Sequence, residues 1–312
     1  MGFKPKQVLF APTFCCNLKC SHCTQKQSRD RLDIRAAARF LKACRKLGIR
    51  EIGFTGGEPF LEPDFMAAMS REANKAEMRF DRITTNAGWF RSPAELDKVL
   101  GQVMAAGYSG SFCVSVDKYH HVPLSKVALF IMKVLAVTGW PESISLVHVG
   151  DMSRVRKLAA LLKGNITKNG RLEIPARRNF LGLSAKITRI NLCPVGSAGK
   201  LADPWGSKWF REDFCAGPGQ LLYVMPNGDV KPCCGFASDL PEMSIGNIYR
   251  NSAGTIINKA ARDPFVKLVY SRGLLRLRDI YIGHNPGFKL KPTADHCFFC
   301  WYMQKMGVRK YL

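Results

Sequence analysis

The sequence predicts an α/β fold of six parallel βα units, in a barrel or an open sheet, followed by a smaller segment of different texture. Three observations carry this. From residue 7 to about 193, short apolar runs alternate with segments of helical spacing. Beyond 193 that alternation stops. The unusual residues fall just after the apolar runs, where the C-terminal ends of parallel strands gather chemistry.

In order, residues 7–11 read as a short apolar strand. Residues 34–47 combine helix formers with apolar spacing, with Asp33 placed to cap the helix and Gly48 to end it. A strand at 51–54 and a helix at 63–78 follow. The alternation continues through 82–84, 93–106, 111–116, 125–137, 143–149 and 154–162. A last strand, 187–192, precedes Cys193-Pro194. After it come Gly-, Pro- and Trp-containing loops with sparse short strands, so the expected domains are 1–193 and 194–312. Within the second, residues 221–230 read as a hairpin turning at Asn227-Gly228.

The 312 residues are 46% apolar and 23% charged, a composition that excludes disordered and collagen-like classes. No apolar run reaches the roughly 18 residues of a membrane span. The N-terminus lacks the apolar core of a signal peptide, and Lys6 breaks the myristoylation pattern. A cytoplasmic protein is expected. The net charge is +23, and residues 151–312 hold 26 Lys and Arg against 11 Asp and Glu. Such a surface favours acidic peptides, phosphorylated molecules or nucleic acid, with a solubilising coat as the equal alternative. Twelve Cys in a reducing compartment point to metal or catalytic roles rather than disulfides.

Directly after the first strand, Cys16, Cys20 and Cys23 are spaced C-x3-C-x2-C. Three thiolates from one loop can hold three irons of a cubane cluster and leave the fourth open. A zinc site would want a fourth ligand nearby, and the loop has none in paired spacing. Cys15 reads as a buried bystander. The second strand ends in Gly56-Gly57-Glu58-Pro59, where two glycines permit close backbone approach and a carboxylate can meet a cationic amine. Thr85-Asn86 and Ser115-Val116-Asp117 end the third and fourth strands.

Together these motifs resemble the radical SAM superfamily over about residues 7–193. The resemblance implies a partial (β/α)6 TIM-type barrel. It also implies that Cys16, Cys20 and Cys23 bind a [4Fe–4S] cluster whose open iron takes S-adenosylmethionine. His22, where relatives carry an aromatic residue, would lie against the adenine. Gly56, Gly57 and Glu58 would bind the methionine amino group; Thr85, Asn86 and Ser115 correspond to contacts with its carboxylate and the ribose.

In the C-terminal part, Cys215, Gly228 and Cys233 follow C-x12-G-x4-C, and Cys297 and Cys300 form C-x2-C. Four thiolates would also serve a zinc ribbon. The spacing is similar to the auxiliary-cluster "twitch" domain, a shorter relative of SPASM. That implies a small hairpin-containing domain with a second [4Fe–4S] cluster on Cys215, Cys233, Cys297 and Cys300. Cys44 and Cys113 read as core and Cys234 as a bystander. Cys193 closes the sixth strand, a position that faces the reaction chamber of a barrel, where a thiol can donate a hydrogen atom; a buried small residue is the equal alternative.

The function expected is reductive cleavage of S-adenosylmethionine to a 5′-deoxyadenosyl radical that abstracts a C–H hydrogen. The electron would come from a donor such as flavodoxin or ferredoxin. The substrate expected first is a ribosomally made peptide, epimerised or cross-linked. A dehydrogenase of a small polar or phosphorylated metabolite ranks second. The cluster loop begins at residue 16, leaving no room before it for a leader-peptide-binding domain, which weighs against a leader-dependent maturase. A zinc-ribbon nucleic-acid-binding protein ranks last, because it needs the three-Cys loop and the Gly-Gly-Glu-Pro turn to be coincidences.

Overall fold

Strands β1 (Gln7–Phe10) and β2 (Glu51–Phe54) pair in parallel, with Phe10 opposite Phe54, and the helix α1 (Ile34–Lys46) connects them. The computed structural model describes residues 3–177, 180–210 and 220–312. Helix α1 starts where Asp33 Oδ1 accepts the Ala36 N–H at 2.7 Å, and it buries the stripe Ala37, Phe40, Leu41 and Cys44. The unit repeats through α2 (Pro63–Lys75), β3 (Arg79–Thr85), α3 (Pro93–Ala105), β4 (Ser111–Ser115), α4 (Leu124–Thr138), β5 (Ile144–Val149) and α5 (Ser153–Leu161). Ser92 caps α3 by accepting the Glu95 N–H at 3.2 Å.

The sixth parallel strand departs from expectation. It is β8 (Leu183–Ile190), and it ends before Asn191 rather than running to residue 192. Its register is set by β5, with Ser145 opposite Lys186 and Val149 opposite Ile190. Ahead of it lies an unforeseen antiparallel hairpin, β6 (Asn165–Ile166) and β7 (Arg171–Ile174). The Asn169-Gly170 turn, followed by the alternating buried Leu172 and Ile174, is its signal in the sequence.

The expected C-terminal hairpin is present as β9 (Leu221–Val224) and β10 (Asp229–Lys231), with β11 (Gly246–Asn247) beside it. Strand β9 pairs in parallel with β1, Gln7 opposite Leu221 and Phe10 opposite Val224. The described strands therefore form one sheet, in the order β11-β10-β9-β1-β2-β3-β4-β5-β8-β7-β6. Its seven neighbouring parallel strands, β9 to β8, make a barrel that does not close among the described residues, consistent with the partial-barrel expectation.

The loop-rich texture expected after residue 193 is corrected by four helices: α6 (Ala253–Arg262), α7 (Pro264–Arg272), α8 (Leu275–His284) and α9 (His296–Lys305). Their starts obey ordinary capping rules. Ser252 accepts the Thr255 N–H, Asp263 the Val266 N–H and Asp295 the Phe298 N–H. One apolar core fills the space between sheet and helices around Phe10, Phe54, Phe60, Phe112 and Phe130. A second, around Phe265, Leu277, Phe299 and Met303, lies under α7 to α9 and takes in Cys233 and Cys300. No helix among the described residues is long and apolar enough to cross a membrane.

Candidate active site

Alternation along β1 determines what the barrel encloses. Val8 and Phe10 are buried in the core beneath the helices, while Gln7 and Leu9 line a central cavity of about 410 Å³. The cysteine loop leaves β1 across the mouth of this cavity. Thr13, fully buried, holds the loop by accepting the Cys15 N–H at 2.9 Å and donating to the Asp30 carbonyl at 3.1 Å. Cys16, Cys20 and Cys23 all line the cavity, and all three are free thiols.

Burial pushes the Cys16 thiol up to about 11 and the Cys20 thiol up to about 12. The second cause at Cys20 is repulsion from Cys16 and Cys23 in their thiolate forms. Three cysteines at one cavity that repel one another as thiolates are relieved by a shared cation, so the donor set fits an iron–sulfur cluster. Asn86 Nδ2 lies 3.7 Å from Cys16 Sγ and 2.9 Å from Asn17 Oδ1.

The Gly-Gly-Glu-Pro turn docks beneath the loop. The Gly57 N–H donates to the Thr13 carbonyl at 2.9 Å and the Glu58 N–H to the Cys15 carbonyl at 3.0 Å. A Cβ on Gly56, where φ is +129°, would stand 2.5 Å from the Thr13 oxygen, and one on Gly57 would stand 2.7 Å from the Cys15 carbonyl carbon. Both glycines line the cavity, yet what presses on them is the cysteine loop itself.

Glu58 departs from its expected role. It is 0% exposed and is not among the residues lining the cavity. Its Oε1 accepts the Thr85 hydroxyl at 2.9 Å and the Phe60 N–H at 3.2 Å, and its Oε2 accepts the Asn86 N–H at 2.8 Å. Burial raises it to about 7 against these three donors. The carboxylate therefore ties the end of β2 to the end of β3, and it is Thr85, Asn86 and Ser115 that line the cavity.

Beside the loop, Asp117 is 2% exposed. Burial alone would raise it, but the His120 hydrogen bond (Nδ1 to Oδ1, 2.9 Å), the neighbouring imidazoles and the Tyr119 N–H hold it below the usual carboxylate range. His22 lines the cavity with its ring stacked on Tyr119, centroids 4.8 Å apart, and its Nε2 3.8 Å from Asp117 Oδ2. Burial lowers its basicity, and its Nδ1 is buried without a partner. Donor atoms of His22, Asp117 and His120 lie within 4.8 Å of one another. His120 and Tyr119 are site residues that the motifs passed over; the run Asp117-Lys118-Tyr119-His120 after a strand end is the signal that could have found them.

Cys193 lies three residues beyond β8 rather than closing it, and is only 3% exposed, yet it lines the cavity. Burial first, then the Asp295 carboxylate, raises its pKa, so it is a thiol and not a thiolate. Cys297 is near enough to add to that effect. Cys234 also lines the cavity, against the expectation of a bystander.

Of the auxiliary set, Cys233 and Cys300 are buried and Cys297 is half-buried, and Cys215 lies outside the described residues. Cys297 and Cys300 are one turn apart on α9. Cys297 Sγ lies 2.5 Å from where a Cβ on Gly235 would be, against the turn that follows Cys233. Cys233 and Cys300 share the second core. Thiols at the edge of one apolar core are a donor set that fits an iron–sulfur cluster.

Residues 10–119 match the family model of the radical SAM superfamily, and residues 215–276 that of the SPASM iron–sulfur cluster-binding domain. Over 113 residues the chain is 30% identical to the probable GTP 3′,8-cyclase of Methanopyrus kandleri, covering 35% of this chain and 31% of that protein. The chain thus matches about a third of the length of such curated relatives. Among solved structures, native anSMEcpe with bound AdoMet and Cp18Cys peptide aligns with a TM-score of 0.55 at 14% identity, covering 98% of this chain and 99% of that one. Streptococcus suis SuiB bound to precursor peptide SuiA aligns with a TM-score of 0.50 at 15% identity, covering 86% and 67%. At these identities the likeness is one of fold.

Proposed function

The chain belongs to the radical SAM superfamily and carries a SPASM iron–sulfur domain in its C-terminal part; on that premise we propose that it uses S-adenosylmethionine and two [4Fe–4S] clusters to abstract a hydrogen atom from a peptide. The observation that carries this reading is the single cavity shared by Cys16, Cys20, Cys23, the strand-end residues Thr85, Asn86 and Ser115, and Cys193. When bound, the cluster and S-adenosylmethionine supply a 5′-deoxyadenosyl radical able to attack an unreactive C–H bond.

Cys16, Cys20 and Cys23 would hold one cluster, and Cys215, Cys233, Cys297 and Cys300 the other. Gly56 and Gly57 let the loop sit low over the strand ends. Glu58 acts from below, keeping Thr85 and Asn86 in place rather than meeting the methionine amine. His22, a neutral flat ring backed by Tyr119, suits an adenine face. Cys193 holds its proton on Sγ, so it can return a hydrogen atom: the S–H bond breaks as the substrate C–H bond forms. One electron and one proton, from an external donor of the flavodoxin or ferredoxin kind and from solvent, then restore the thiol.

A peptide is preferred because both solved relatives above hold one, and the +23 charge suits an acidic peptide. A phosphorylated small molecule is the second reading, favoured by the GTP 3′,8-cyclase relatives. The deciding experiment gives the reconstituted protein S-adenosylmethionine, reductant and either a panel of short acidic peptides or GTP. Peptide-dependent 5′-deoxyadenosine with a changed peptide mass or stereochemistry supports the first reading. GTP consumption with an inert peptide replaces it by the second.

A further inference from the structure

A second pocket, of about 640 Å³, lies on the other face of the sheet from the reaction cavity. Strand alternation puts it there. Val147, Val149 and Ile190 line the reaction cavity, whereas His148 of β5 and Ile187 and Arg189 of β8 line the second pocket. His148 and Arg189 are direct neighbours across the β5–β8 pairing. The start of α5 closes the pocket, contributing Asp151, Met152 and Arg156.

We propose that this pocket binds the phosphoryl group of a small anionic ligand, at a site separate from the radical chemistry. Four features converge on an oxyanion. The Arg156 and Arg189 guanidiniums both line the pocket, and neither has a hydrogen bond or ion pair among the described residues. Paired guanidiniums match phosphate geometry. His148 is 2% exposed, lines the pocket, and has an Nδ1 with no hydrogen-bond partner. The ring is held by the Asp151 backbone, and the open Nδ1 leaves one polar position at the pocket for a ligand group. Helix α5 begins beside the pocket, with its cap residue Met152 among the lining residues, and the N-terminal end of a helix favours an anion. Its cap residue, Met152, supplies no side-chain acceptor; Asp151 takes the Ser153 N–H at 2.8 Å, and the N–H groups of Arg154 and Val155 remain open among the described residues.

Asp151 is the one acidic group at the pocket. It is engaged by Ser153 and influenced by Lys118, which together hold it below the usual carboxylate range. Two guanidiniums against one carboxylate leave the site net positive. The size falls within the range of about 300–1,000 Å³ typical of small-ligand sites rather than of macromolecular docking.

The test is calorimetric titration of the full-length protein at low salt with inorganic phosphate, and in parallel with ATP. The wild type should take up one equivalent of phosphate, and Arg156→Gln and Arg189→Gln should each weaken binding about tenfold. Both side chains are exposed, so unchanged melting of the variants separates loss of the site from loss of the fold. The Cys16, Cys20 and Cys23 triple alanine variant should bind phosphate as the wild type does, whatever its radical activity. ATP binding tighter than phosphate, and lost in the same two variants, supports the site and identifies a nucleotide as the source of the phosphoryl group. No saturable binding of either up to about 10 mM, or binding indifferent to both substitutions, overturns the proposal.

Discussion

Replacing Glu58 by Gln should flatten the dependence of folding stability on pH. The wild-type carboxyl is fully buried and raised from an ordinary 4.5 to about 7. A group whose folded pKa lies above its unfolded one stabilises the fold below the unfolded value and loses that contribution as pH rises through the folded value. The window is therefore pH 4.5 to 7, and the full loss corresponds to about 3 kcal/mol. Between pH 5 and pH 8 roughly 2 to 3 kcal/mol of this should be seen. Gln cannot titrate, but it keeps only one acceptor oxygen where three donors converge. It should therefore cost about 1–3 kcal/mol at every pH through the Asn86 or Phe60 N–H left unpaired. Urea unfolding of the anaerobic apo-protein at pH 5, 6, 7 and 8 measures both effects. The variant should be clearly weaker at pH 5 and should draw level with, or pass, the wild type by pH 8. Parallel curves for the two proteins would refute the assignment of Glu58 as a buried tie between β2 and β3.

Gly57→Ala forces a Cβ against the Cys15 carbonyl, so it should cost about 1–3 kcal/mol and lower the iron held after reconstitution by shifting Cys16. Reconstituted wild type should carry about eight irons and the Cys16, Cys20 and Cys23 triple alanine variant about four; one zinc in place of those four would exclude an auxiliary iron–sulfur cluster. Cys193→Ala should still produce 5′-deoxyadenosine but stall before hydrogen return, and in deuterated water an epimerised wild-type product should gain one deuteron. Normal turnover by Cys193→Ala without solvent deuterium would leave oxidation or bond formation.

The first five βα units were legible because each strand and helix obeys its own periodicity, as the Ala37, Phe40, Leu41 and Cys44 stripe of α1 shows, whereas the sixth parallel strand was displaced by the β6–β7 hairpin ahead of it. The three-Cys loop was legible because ligand spacing is local. Long-range commitments were not. Nothing near Glu58 in the chain says that Thr85 and Asn86, about 28 residues on, will claim its carboxylate. Nor does local pattern say that β9 will pair with β1 across more than two hundred residues and continue the barrel sheet. The C-terminal helices were hidden by their shortness, since nine or ten residues give an apolar stripe few turns to repeat. His120 was missed for a related reason: its value lies in reaching Asp117 and His22 together, and only the fold brings His22 there.

The most direct test of the account compares wild type with the Cys16, Cys20 and Cys23 triple alanine variant for S-adenosylmethionine cleavage. Both are reconstituted anaerobically, reduced with dithionite and analysed chromatographically for 5′-deoxyadenosine. The account predicts formation of 5′-deoxyadenosine by the wild type and none above background by the variant, whose auxiliary iron is retained. Equal 5′-deoxyadenosine from the two proteins, or none from a wild type carrying its full iron, would contradict it.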